Sequence, residues 1–155
     1  MPQRFSEVVS LLYKPPTGRR QVFALSRKQA ERLPRLQSIA IISITSPERP
    51  LASLEDFNHL LRLRFADVDF LNPNLSKRAQ SRLSDSFRAD QAREIHAFIR
   101  GLPDNVPSVV VHCEGGFSRS CAVALSIHRL YGYDTEVQHL TEANPSILKT
   151  MLAAS

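Results

Sequence analysis

The sequence predicts an α/β fold, a central and mostly parallel sheet of about four to five strands flanked by helices. Three observations carry this reading. Ile39-Ala40-Ile41-Ile42-Ser43-Ile44 and Ser108-Val109-Val110-Val111-His112 are unbroken, largely β-branched apolar runs, the composition of strands covered on both faces. Longer segments with apolar residues at helical spacing lie between and after them. Strands that alternate with helices along a chain assemble as a parallel sheet with helices packed on it.

The elements follow in order. Val8 to Leu12 is a short apolar run, and the turn-rich Lys14-Pro15-Pro16-Thr17-Gly18 comes next. Ser26 is placed to cap a helix over residues 27–33, which Pro34 ends. After the strand at 39–44, Pro47 and Pro50 break the chain, and residues 54–61 read as a short helix. Leu61-Arg62-Leu63-Arg64-Phe65 alternates apolar and basic side chains, as a strand does. Residues 70–83, with Asn72-Pro73-Asn74, read as a long loop holding one helical turn. Ser84 or Asp85 opens a helix to Arg100 on a stripe of Phe87, Ala92, Ile95, Phe98 and Ile99, and Gly101 and Pro103 stop it. Past the strand at 108–112, Cys113 to Ser118 is a short loop. From Arg119 the chain is helical to Tyr131 and ends at Gly132. Residues 135–143 and 146–153 read as two further short helices around Asn144-Pro145.

A chain of 155 residues, 43% hydrophobic and 23% charged, fits one globular domain over 1–155. The formal net charge of +5 draws anions, so phosphorylated ligands and nucleic acid both enter as candidates. The basic residues are scattered in pairs (Arg19-Arg20, Arg27-Lys28, Lys77-Arg78), which read as solvated surface and not as a nucleic-acid-binding tail. No nucleic acid and no membrane is therefore expected as partner. No run approaches the ~18 apolar residues of a membrane span. The start, Met1-Pro2-Gln3-Arg4, leads into no apolar stretch long enough for export. Two cysteines do not make a disulfide framework, so a reducing cytoplasm is expected. The five histidines show no paired metal-ligand spacing, so neither a metal nor another cofactor is expected.

The chemistry is concentrated in His112-Cys113-Glu114-Gly115-Gly116-Phe117-Ser118-Arg119-Ser120, between a buried strand and a helix start. Ligands of α/β proteins bind at the carboxyl ends of strands. Two of the chain's five glycines sit in this loop, and they let the backbone turn tightly and approach a ligand. Its N–H groups then form an anion nest, reinforced by the positive end of the following helix. Arg119 adds a planar fork that matches two phosphate oxygens. Helix N-termini and nearby cations favour a thiolate, so Cys113 is expected to be ionised beneath the phosphorus and to attack it. Glu114, Gly115, Gly116, Phe117, Ser118 and Arg119 make up the expected phosphate-binding loop. Ser120 is expected to donate a hydrogen bond to the sulfur, and His112 to brace the loop. Phe117 reads equally as a wall of the cleft or as packing against the sheet. Cys121 reads as core packing, with a resolving thiol for oxidised Cys113 as the alternative.

These residues resemble the His-Cys-x-x-Gly-x-x-Arg-Ser/Thr signature of the protein tyrosine phosphatase superfamily. The Gly-x-Ser-Arg-Ser ending resembles its dual-specificity branch, in a small bacterial-type form. Five specified residues match at odds of roughly one in a hundred thousand from residue frequencies, and the strand–loop–helix context is the required one. The resemblance spans about residues 36–150. It implies a catalytic core over 36–155, with residues 1–35 an N-terminal extension holding a first strand and a helix. It also implies a phosphomonoester hydrolase that works through a phosphocysteine intermediate, with a phosphorylated protein or small phosphomonoester as substrate. A module that binds phosphate without turnover is the alternative.

Such a reaction needs an acid for the leaving oxygen, which the family supplies from an upstream loop aspartate. Asp67 follows the strand ending at Phe65, where the family places its acid. Asp69 precedes Asn74-Leu75-Ser76, which resembles the segment after the acid in some relatives, and is the alternative. No lysine lies between Cys113 and Arg119, as relatives acting on inositol phosphates often have, and Glu114 is expected to repel a polyanion. A phosphoprotein or another monoester in a shallow cleft is the expected substrate.

Overall fold

The computed structural model describes residues 4–155; the part of the export argument that rests on Met1 to Gln3 lies outside the described residues. Four strands form one sheet: β1 (Gln21–Ser26), β2 (Ile39–Thr45), β3 (His59–Arg64) and β4 (Ser108–Cys113). They lie in the order β1-β4-β2-β3, with every neighbouring pair parallel. The expected α/β class with a parallel sheet holds.

Both faces of the sheet are apolar, as the unbroken runs foretell. Alternate residues of a strand point to opposite faces. One face carries Val22, Ala40, Ile42, Ile44, Val109 and Val111, covered by α4 (Ala89–Arg100), α5 (Arg119–Tyr131) and α6 (Pro145–Ala153). The other carries Phe23, Leu25, Ile39, Ile41 and Val110, under α1 (Phe5–Tyr13) and α2 (Arg27–Glu31) together with Leu54 and Phe57. Every residue of β2 and β4 is buried.

Several local expectations are revised. The apolar run from Val8 to Leu12 is the buried stripe of α1, and the first strand, expected within residues 1–35 without bounds, is Gln21–Ser26. Ser26 does cap α2, in a reciprocal box with Gln29. Residues 54–61 are not a helix. Leu54 and Phe57 close a single turn that plugs the core, and β3 begins at His59. Lys77–Ser81 is the helical turn of the long loop, here α3. Neither Ser84 nor Asp85 opens α4. Both lie in a separate 3-10 turn, and the Asp85 carbonyl accepts from Ala66 N–H at 2.7 Å, so the helix starts after extended Ser86. Phe87 is therefore outside the helix, its ring tilted against that of Phe65 with centroids 4.7 Å apart. Residues 135–143 hold only a 3-10 turn, Val137–His139. Gly132 ends α5 at φ +72°, as expected of a left-handed cap.

Candidate active site

The parallel register brings the carboxyl ends of all four strands to one edge. Ser26 pairs with Cys113, Ser43 with His112, and Thr45 with Arg64. The loop after β4 thus emerges between the β1–α2 junction and the segments that leave β2 and β3.

Gly116 has φ +80°, and a Cβ there would lie 2.6 Å from Ser26 N. Only glycine lets the loop turn back and rest on that junction. The turn aims Gly116 N–H at Cys113 Sγ, 3.3 Å away. Ser120, in the first turn of α5, puts its Oγ 3.2 Å from the same sulfur. Ser118 sits at the N-cap position of α5, yet its hydroxyl donates to Asp67 Oδ1 at 2.9 Å and does not cap the helix.

Arg119 is buried. One terminal nitrogen donates to Ser46 Oγ and to Phe65 O, both at 2.9 Å, which fixes the guanidinium to the segments leaving β2 and β3. Its Nε is buried and has no partner among the described residues. A buried donor left unpaired costs about 1–3 kcal/mol; Thr45 Oγ1 and Arg62 Nη1 are in the same state. His112 Nδ1 donates to Cys113 O at 3.2 Å, and Nε2, 2.6 Å from Ser43, accepts from its hydroxyl. Burial is the main cause holding His112 below its ordinary pKa, as suits a neutral ring bracing β4 against β2.

The two aspartates diverge. Asp67 Oδ1 accepts from Ser118 of the loop and from Asn144 Nδ2 at 2.8 Å, whereas Asp69 Oδ1 accepts from Leu71 N–H in its own turn. Asn144 is buried and caps α6 through Ser146 and Ile147 N–H, while Ser146 Oγ holds Val68 O. The sequence reading missed Asn144 as a site residue. Its signal is an Asn at the N-cap followed by Pro at the first helical position. A cleft of about 350 Å³ opens beside Asp67 and Ser46, bounded by Glu48 and by Arg78 and Arg82 around α3. Arg82 pairs with Glu48 at 2.7 and 3.0 Å and holds its carboxyl down at about 2.

Glu114 departs from expectation. Its carboxylate lies 3.1 Å from Arg27 Nη1 and 3.6 Å from Arg49 Nε, so it is not a free charge and gives no ground for excluding polyanions. Phe117 does not pack on the sheet. It is 50% exposed, beside exposed Gly115. Cys121 is buried, its S–H directed at Gly116 O, and burial followed by the neighbouring Cys113 pushes its thiol up to about 12. Both cysteines are free. Among the described residues no helix is long and apolar enough to cross a membrane.

No protein-family model matches the chain, and no curated protein matches it. Solved structures do. The chain is similar to PTPMT1 in complex with PI(5)P, at 16% identity and TM-score 0.49 over 86% of this chain and 89% of that one. It is also similar to Tk-PTP in the active form, at 18% and 0.45 over 86% and 92%, and to human DUSP28, at 16% and 0.43 over 86% and 90%. All three are members of the protein tyrosine phosphatase superfamily.

Proposed function

We propose that this chain is a cysteine-dependent phosphomonoester hydrolase of the protein tyrosine phosphatase type, in its dual-specificity branch. The observation that carries the reading is Arg119 Nε, a buried donor without a partner among the described residues, on a guanidinium anchored by Ser46 and Phe65 in the residue that closes the loop begun at Cys113. A phosphoryl group seated between them takes Nε through one oxygen and the loop amides through the others.

Cys113 sulfur attacks phosphorus and an S–P bond forms. The P–O bond to the leaving group breaks, and the leaving oxygen takes a proton from Asp67. Ser118 and Asn144 both occupy Oδ1, so the proton is carried on Oδ2. Water then attacks the phosphocysteine and gives a proton back to Asp67. The S–P bond breaks, and the Ser120 hydroxyl donates to the departing sulfur. Inorganic phosphate is the product. The loop lies at the surface, with Gly115 and Phe117 exposed. A site that shallow accepts phosphotyrosine together with phosphoserine or phosphothreonine, on a protein or a small molecule, and two free thiols suit a reducing cytoplasm.

Hydrolysis of p-nitrophenyl phosphate tests the reading. The wild-type chain is expected to release nitrophenol in the presence of chelator, and Cys113→Ser and Arg119→Ala to fall to background. Tight phosphate binding by wild type without any release would show instead a phosphate-binding module.

A further inference from the structure

Arg27 stands in the sequence as half of a basic pair of the kind that reads as solvated surface. Its side chain is only 14% exposed. Nη1 donates to Pro50 O at 2.6 Å and to Glu114 Oε1 at 3.1 Å, and Nη2 donates to Leu51 O at 2.8 Å. Its backbone N–H donates to Glu114 O at 3.2 Å. One residue thus ties the β1–α2 junction to the β2–β3 connection and to the first residue after Cys113. Gly116 rests on the same junction.

Glu114 is the only carboxylate between Cys113 and Arg119. Uncompensated, it would oppose a phosphate dianion in the adjacent nest. Arg27 faces it at hydrogen-bond distance from a largely enclosed position, where screening by solvent is weak. The charge of Arg27 is felt one residue from the sulfur: after burial, it is among the causes that lower the His112 pKa.

We infer that Arg27 is a positioning residue of the phosphate loop. Its ion pair with Glu114 cancels the loop's carboxylate and pins the loop's first turn, so that the cradle between Cys113 and Arg119 meets a phosphomonoester with net positive charge. The inference rests on the phosphatase reading for the identity of the ligand. It gives Ser26 and Arg27, within the segment expected to hold a first strand and a helix, a part in the site.

The test uses two reagents that alkylate the same sulfur: neutral iodoacetamide and anionic iodoacetate. Rates at Cys113 are followed at one pH by peptide mass spectrometry. Peptide mass spectrometry reads Cys113 apart from the buried Cys121. The ratio of iodoacetate to iodoacetamide rates reports the field at the sulfur, because a change in the sulfur's own reactivity scales both rates alike. Arg27→Gln leaves Glu114 with only the longer Arg49 contact and is expected to lower the ratio roughly threefold or more. Glu114→Gln is expected to raise it by a similar factor, and Arg27→Lys to restore it towards wild type. Should Arg27→Gln fail to fold, Glu114→Gln, on a 30% exposed side chain, decides the matter alone. An unchanged ratio in Glu114→Gln, or shifts of the same sign in both charge variants, overturns the inference and leaves the phosphatase reading intact. A wild-type Cys113 that reacts with neither reagent sinks both.

Discussion

At the scale of single residues, the chemistry turns on which polar atoms are satisfied and which are not. Arg119 is held at one nitrogen by Ser46 and Phe65, while its Nε has no partner among the described residues. Asp67, and not Asp69, is joined to the loop, through Ser118 and Asn144. A general acid contributes about 10²–10⁴-fold, and most where the leaving group is a poor one. Asp67→Asn is therefore expected to slow phenyl phosphate by about that factor and p-nitrophenyl phosphate far less, with Asp69→Asn near wild type on both. Steady-state rates on the two esters check this, and the opposite ranking of the two variants would move the acid to Asp69. Cys113, Arg119 and Ser120 were legible because they sit together in nine consecutive residues. Ser46, Arg27 and Asn144 were not, because each reaches the loop from a distant part of the chain, and a local pattern records no such approach.

At the scale of elements, the same glycine freedom has two different uses. Gly116 and Gly132 both have positive φ, +80° and +72°. A Cβ at Gly132 meets nothing within 4 Å, while one at Gly116 strikes Ser26 N at 2.6 Å and Leu25 C at 2.7 Å. Gly132→Ala is expected to cost only the left-handed strain, about 1–2 kcal/mol, a fall of a few degrees in Tm, with activity retained. Gly116→Ala is expected to cost more than Gly132→Ala and to abolish activity, since the loop must leave the β1–α2 junction. Melting curves and p-nitrophenyl phosphate rates on the two variants check the contrast. The elements themselves were readable where the signal was strong: two buried strands, the Ser26 cap, the Gly132 stop. Not readable were the bounds of Gln21–Ser26 and the helix start at 84–88, besides the helices expected over 54–61 and 135–143. The first is a short strand whose pattern shares its polar ends with ordinary loop. In the second, the tertiary bond from Ala66 to the Asp85 carbonyl overrode a plausible local helix start.

At the scale of the molecule, a four-stranded sheet needs cover on both faces, and α1 supplies part of one of them. Val8 and Leu12 are fully enclosed in the cluster with Phe23, Leu25 and Ile41. Leu12→Ala is expected to destabilise the fold by about 2–5 kcal/mol, a large share of the ~5–15 kcal/mol typical of a domain. Urea unfolding checks it. The folded fraction is expected to keep its turnover, because α1 ends beside the amino end of β1, where Leu11 O accepts from Gln21, and the loop lies at the carboxyl end. A loss no larger than that of a surface substitution would mean that α1 is dispensable cover.

The proposed function needs the nest between Cys113 and Arg119 to hold a phosphoryl group against the sulfur. A crystal structure of the chain with orthovanadate tests it most directly. The expected result is vanadium bonded to Cys113 Sγ, with an equatorial oxygen accepting from Arg119 Nε and another facing the Gly115–Gly116 turn. Vanadate bound elsewhere, with the sulfur unmodified and Arg119 Nε still without an acceptor, would contradict the account.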